Sequence, residues 1–234
     1  MKNCLKSVLG FPAALLLAGL LGSCGNQWSE TQKANLTPVT VRQTAMASGA
    51  YHEPDATNPP GTSNTVPAAT GGGLIPALIG VAIDAGVSKS QQSKFDKSDG
   101  HYAGSSKQNV PGDLTKRFSE KFDRSLKKDA FFNGRLKQEA SALIQPTIVK
   151  HGYKRVGVAD DGGILMSPVV EVELLVTGSD AKILLKQNVT SPGGSPARLS
   201  EYAGSAAKAR AAYDKELDSL ITQIGIIWNT KLGR

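Results

Sequence analysis

Residues 169–189 read VVEVELLVTGSDAKILLKQNV, and the alternation in this stretch decides the fold. Val170, Val172, Leu174 and Val176 fall on one side of an extended chain and Glu171 and Glu173 on the other, which is the two-residue period of a half-buried strand. The TGSD that follows has turn chemistry, and the chain returns as AKILLKQNV. With Gly178 and Ser179 as the two turn residues, Leu174 opposes Ile183, Val172 opposes Leu185 and Glu171 opposes Lys186. Apolar partners then share one face and charged partners the other, so turn and register both point to an antiparallel hairpin.

Upstream, Asp161-Gly162 is a second hairpin signal, preceded by a short strand over Lys154–Val158. Pro168 confines the start of the next strand to an edge or a bulge. Downstream, Ser195 before Pro196 has the form of a helix cap with proline at the first helical position. Tyr202, Ala206, Ala209, Tyr213, Leu217, Leu220, Ile224 and Ile227 then run down one helical face, long enough to cover a sheet.

Before the strands, Leu114, Phe118, Phe122 and Leu126 recur every four residues in a helix capped by Asp113. A second helix is expected from about residue 133 or 134 toward Lys150 on Leu136, Ala140, Leu143, Ile144, Ile148 and Val149, with Pro146 kinking or ending it. The fold class that follows is α+β: a small antiparallel meander of about three strands, packed against two preceding helices and one long C-terminal helix, over residues 113–234.

The first 112 residues read differently. Lys2 and Lys6 precede an apolar run from Val8 to Gly22, about 15 residues against the roughly 20 of a membrane span, and small residues close it. That is the form of a secretory signal over residues 1–23. Residues 24–70 are rich in Thr, Ser, Asn, Ala and Pro without an apolar period, which predicts a disordered tether with an r.m.s. reach of about 40 Å. Residues 71–95 open with GGGLIPALIGVAIDAG, an apolar Gly/Ala-rich helix too short to cross a bilayer. Gly73 with Ala77, and Ala82 with Gly86, put small residues four apart, with Gly80 between them, a spacing that allows close helix approach. Packing on the downstream domain, self-association and membrane contact all remain open for this helix. Residues 96–112 read as a polar linker.

The chain has two cysteines. Cys4 lies inside the signal, so the mature chain keeps Cys24 alone and forms no internal disulfide. The net charge of +7 is spread along the chain; it suits solubility or a mild attraction to polyanionic surfaces. Lys116, Arg117, Lys121, Arg124, Lys127 and Lys128 are interleaved with Glu120, Asp123 and Asp129, a solvated helix face and not a clean nucleic-acid stripe. The three histidines, His52, His101 and His151, form no ligand pair at helix or strand spacing, so no metal or cofactor is expected. No nucleophile elbow, phosphate loop or dinucleotide fingerprint occurs. Glu171 and Glu173 could form an acid/base pair of the glycosidase kind, or pair with Lys182 and Lys186; Asp160 and Asp161 read as turn formers.

Leu21-Gly22-Ser23-Cys24, placed directly after the apolar run, resembles the lipobox of bacterial lipoproteins. The resemblance implies cleavage before Cys24 and lipid attachment to its sulfur; the remaining alternative is a plain secreted protein with an incidental cysteine. Gly25, where an Asp is absent, implies sorting to the outer membrane. The order of parts resembles envelope lipoproteins of Gram-negative-type bacteria, and the last 120 or so residues loosely resemble the α/β domain shared by the Tol-Pal propeller protein's N-terminal domain and curli-secretion-type lipoproteins. No family site comes with that likeness. It implies a non-enzymatic, lipid-anchored interaction or assembly module facing the periplasm, with the membrane, envelope proteins or its own copies as partners. A pore-forming lipoprotein using residues 71–87, and an envelope hydrolase, are the other readings.

Overall fold

The computed structural model describes residues 27–55, 99–161 and 163–234. The expected signal over 1–23 and the whole of the expected Gly/Ala-rich helix over 71–95 lie outside them. The elements are α1 (Glu30–Ala34), β1 (Val39–Val41), β2 (Ala45–Met46), β3 (Tyr51–Asp55), a 3-10 turn (Gly100–Tyr102), α2 (Ala103–Gln108), α3 (Leu114–Lys128), β4 (Ala142–Val158), β5 (Ile164–Thr177), β6 (Ile183–Thr190), α4 (Leu199–Ala203) and α5 (Ala206–Leu232).

The fold is α+β, but the sheet is six-stranded and mixed, larger than the three-strand meander expected. The meander itself is present, since β4 pairs antiparallel with β5 and β5 with β6. The additional edge is assembled from β1, β2 and β3, which follow one another along β4 and pair parallel to it. These strands fall in the stretch expected as a tether. Low apolar content misled there: Trp28, Leu36, Val39 and Ala50 are all buried, and the rest of the edge is held by backbone pairing that composition does not report.

The second half of the expected helix toward Lys150 is the first half of β4. Leu136, Ala140, Ile144 and Ile148 are spaced by four, which satisfies a helical stripe and an alternating strand equally. Ile144, Thr147, Ile148 and Val149 are β-branched, and that tips the choice to strand. Ala142, Ile144, Pro146 and Ile148 alternate inward with half-exposed neighbours. Pro146 breaks no ladder: Ile144 O accepts from Arg42 N and Ile148 O from Ala47 N, so the proline nitrogen between them faces the interval where β1 has ended and β2 has not begun.

The β5–β6 hairpin forms in a different register from the one expected. Val176 pairs with Leu185, Leu174 with Gln187 and Val172 with Val189, because the connection takes Gly178–Lys182 in place of two residues. The slip from the two-residue solution is four positions, an even number, so Leu185 and Val189 keep the inner face, whereas the irregularity that pairs Ile183 with Thr177 takes Ile183 off it. Val170, Val172, Leu174 and Val176 are buried as the alternation predicts.

Helices α3 and α5 cover the inner face of the sheet. Leu114, Phe118, Phe122 and Leu126 are all buried, as is the α5 stripe from Ala209 through Tyr213, Leu217, Leu220 and Ile224. Trp228 takes the place expected for Ile227 at the end of that stripe; Ala206 is exposed. Tyr202 belongs to the separate helix α4, and the caps differ accordingly. Ser205 accepts from Lys208 N to start α5, whereas Asp113 makes no cap bond and is used elsewhere. The expected linker 96–112 contributes α2, and Asn109 Nδ2 donates to the last carbonyls of α4, Tyr202 O at 2.9 Å and Ala203 O at 2.8 Å.

Candidate functional site

Two bulges in β4 decide which side chains reach the interior. Ile148 pairs with Val172 but Lys150 with Glu171, so Val149 is the extra residue. The bulge resets the alternation, and His151, Tyr153 and Arg155 turn inward with exposures of 8%, 0% and 2%. Sequence reading, with a helix ending here, placed none of them in a site.

Opposite them on α5 lies Glu216, fully buried. Its Oε2 accepts the Gly193 N–H at 2.8 Å and its Oε1 the Ser167 hydroxyl at 3.4 Å. Ser167 Oγ in turn accepts from Ser195 N at 3.1 Å. Lys154 Nζ donates to Ser191 O at 3.2 Å; burial lowers the pKa of this ammonium while the nearby Glu216 carboxylate pulls it back up. Ser191 Oγ accepts from Val170 N, and Ala197 exchanges both backbone bonds with Met166. Every one of these groups acts on the segment Ser191–Ala197, closing it over the end of the core. The signal that could have found Glu216 is a single acid inside the apolar stripe between Tyr213 and Leu217.

A carboxylate, a hydroxyl and an ammonium together invite a catalytic reading, but Glu216 and Ser167 are sealed from solvent, and a nucleophile must meet its substrate. The arrangement clamps a loop. Glu216→Ala, which strands the Gly193 N–H and the Ser167 hydroxyl, is expected to cost about 2–4 kcal/mol. Glu216→Gln, which keeps an acceptor, is expected to cost less; urea denaturation of the two variants separates them.

Beside the clamp sits an aromatic cluster. The Tyr153 ring lies 5.1 Å from that of Tyr202 and 5.8 Å from that of Tyr213. Tyr213 OH donates to Gly152 O at 2.9 Å, Tyr202 OH donates to Ser195 O, and burial raises the pKa of all three phenols. His151 meets the Tyr51 ring edge-on at 5.6 Å, and Lys107 stands over Tyr51 at 4.7 Å. Burial first, and the Lys107 charge second, lower the His151 pKa. The unfolded chain therefore binds more protons between that lowered value and about 6.5, so stability falls as pH drops through this window. His151→Phe is expected to flatten that part of the stability–pH curve, measured by thermal melts at stepped pH.

On the surface, α3 and α5 enclose a groove of about 520 Å³ lined by charged side chains of both signs. Arg210 bonds Asp113, Arg117 bonds Asp214 and Lys121 bonds Asp218, each pair 97 residues apart. The constant separation means that the two helices run in the same direction, side by side, with one rung per turn. The mixed charges of α3 thus serve partly to register two helices, and the signs in the groove nearly cancel.

The remaining candidates fall as follows. Glu171 accepts from Asn188 Nδ2 at 2.8 Å and Glu173 pairs with Lys186 at 3.3 Å, both on the outer sheet face. Asp161 Oδ1 accepts from Gly163 N at 3.0 Å and its other oxygen meets Arg198, so it is a turn former; these contacts hold its carboxyl below the usual range. His52 is on β3, and the His101 ring lies 3.8 Å from that of Tyr102, tilted by 41°. Among the described residues no cluster of His, Cys, Asp and Glu could hold a metal ion, and no helix is long and apolar enough to cross a membrane. Cys24, Gly73, Ala77, Gly80, Ala82 and Gly86 lie outside the described residues. No protein-family model and no curated protein matches the chain.

Proposed function

We propose that this chain is a non-enzymatic, lipid-anchored module of a bacterial envelope, held at Cys24 to the outer membrane and presenting a rigid α+β domain to partners in the periplasm. The observation that favours a presenting scaffold is the use made of the interior polar groups. Glu216, Ser167, Lys154 and Ser191 are all committed to fixing Ser191–Ala197 over the core, which stiffens one end of the domain and offers no open reaction centre there. Self-association through Gly73, Ala77, Gly80, Ala82 and Gly86 belongs to the same reading, as a second means of assembly.

Native mass spectrometry of the full-length protein extracted in mild detergent tests it. A mature chain beginning at lipidated Cys24 is expected, with Cys24→Ala leaving the membrane fraction. An unmodified Cys24, or a Cys24→Ala protein that stays membrane-bound, overturns the anchor.

A further inference from the structure

The anchor reading carries a geometric consequence, because the fold begins almost at the anchor. Trp28 is 4% exposed. Its N–H donates to Lys231 O at 2.7 Å, its Nε1 donates to Leu184 O at 3.2 Å, and its ring lies 6.1 Å from Trp228. Trp28 is the fourth residue after Cys24, and four steps of chain span at most about 14 Å however they are arranged. A lipid on Cys24 cannot leave the domain at the end of a long tether.

We infer that the end of the domain around Trp28 docks on the lipid surface that holds Cys24. This end gathers the segment from Trp28 through α1 to Asn35, the turn Gly178–Lys182, the first residues of β6 and the last turn of α5. Ser179 N donates to Asn35 O at 2.9 Å, tying two of these parts together. At the same end stands Ile183, 63% exposed, the most exposed large apolar side chain among the described residues; it adjoins Leu184, the acceptor of Trp28. Beside it, the Lys182 side chain is 79% exposed and pairs with Asp180 at 3.4 Å. An exposed apolar residue among polar and charged neighbours of both signs suits shallow insertion at a headgroup interface. The short span fixes which end must face the lipid, and Ile183 gives that end something to insert.

The opposite end of the sheet then faces away. Val158 ends β4, roughly 40 Å from Ile183 along the sheet at about 3.3 Å per residue, and the clamped segment Ser191–Ala197 lies toward the same distant end, since Ala197 pairs with Met166.

The inference rests on the lipid anchor, and the test separates the two. Mature lipidated protein keeps Cys24 blocked, so Ile183→Cys and Val158→Cys each offer one thiol for an environment-sensitive fluorophore. Lys182→Cys serves as a second near-end site. The labelled proteins are placed on vesicles of phosphatidylethanolamine and phosphatidylglycerol with and without nitroxide-bearing lipid. The expected result is a blue shift and at least twofold quenching at position 183, a smaller effect at 182 and none at 158. Protein that remains on the vesicles with labels at 183, 182 and 158 all equally unquenched overturns the docking and leaves the anchor standing. A mature chain whose mass shows no lipid, and which does not float with vesicles, overturns both.

Discussion

Gly152→Ala is expected to detach the N-terminal edge of the sheet. Gly152 sits at φ +146°, and a Cβ there would stand 2.1 Å from the backbone oxygen of His52, its register partner on β3. Backbone on backbone leaves no side chain to swing aside. Either β3 moves off β4 or Gly152 leaves a conformation already strained for an L-residue. Strain and overlap together put the cost at about 3–5 kcal/mol. The same shift would disturb the Tyr213–Gly152 bond on the other side, so the loss spreads to α5. Thermal melting measures the drop; a variant as stable as the parent would mean that β3 does not lie on β4.

Trp28→Ala carries an effect of similar size by a different route. The indole is buried against Trp228, which also meets Phe132 at 5.4 Å, and its truncation opens a cavity in that cluster while leaving Leu184 O without its donor. Large-to-small changes of buried Trp cost about 3–5 kcal/mol, or roughly 10 °C in melting temperature for a domain of this size. A residue in a disordered tether would cost nothing when truncated. Urea midpoints of Trp28→Ala and the parent therefore decide whether the domain begins at residue 113 or near residue 28.

The alternation from Val170 to Val176 matches one period only, and Leu114-Phe118-Phe122-Leu126, though spaced by four, has Lys116, Glu120 and Arg124 at the positions a strand would bury, so both elements are legible. Leu136, Ala140, Ile144 and Ile148 match two periods at once, so the strand β4 passed for a helix, and His151 and Tyr153 were lost with it because a bulge, invisible in sequence, turns them inward. Residues 27–55 hide their order for another reason. Their contribution to the core is a few scattered side chains, and most of their attachment is backbone to backbone along an edge that exists only once β4 is a strand. Asp113 shows the limit of local chemistry: a good cap residue by type, it is drawn instead to Arg117 and Arg210. Of the site, the outward pairing of Glu173 with Lys186 was foreseeable from alternation, whereas the bonds of Glu216 depend on where Gly193 is brought by the fold.

Residues 27–55 belong to the domain, and the proposed anchor at Cys24 stands just before them. Hydrogen exchange of the intact protein, followed by mass spectrometry on peptides covering 28–52, tests this directly. Arg42, Ala47 and Trp28 amides donate to Ile144, Ile148 and Lys231 carbonyls, so the peptides are expected to exchange slowly, within about tenfold of those from β4. Complete exchange within seconds across 28–52, with β4 and α5 still protected, would contradict it and return this stretch to a tether.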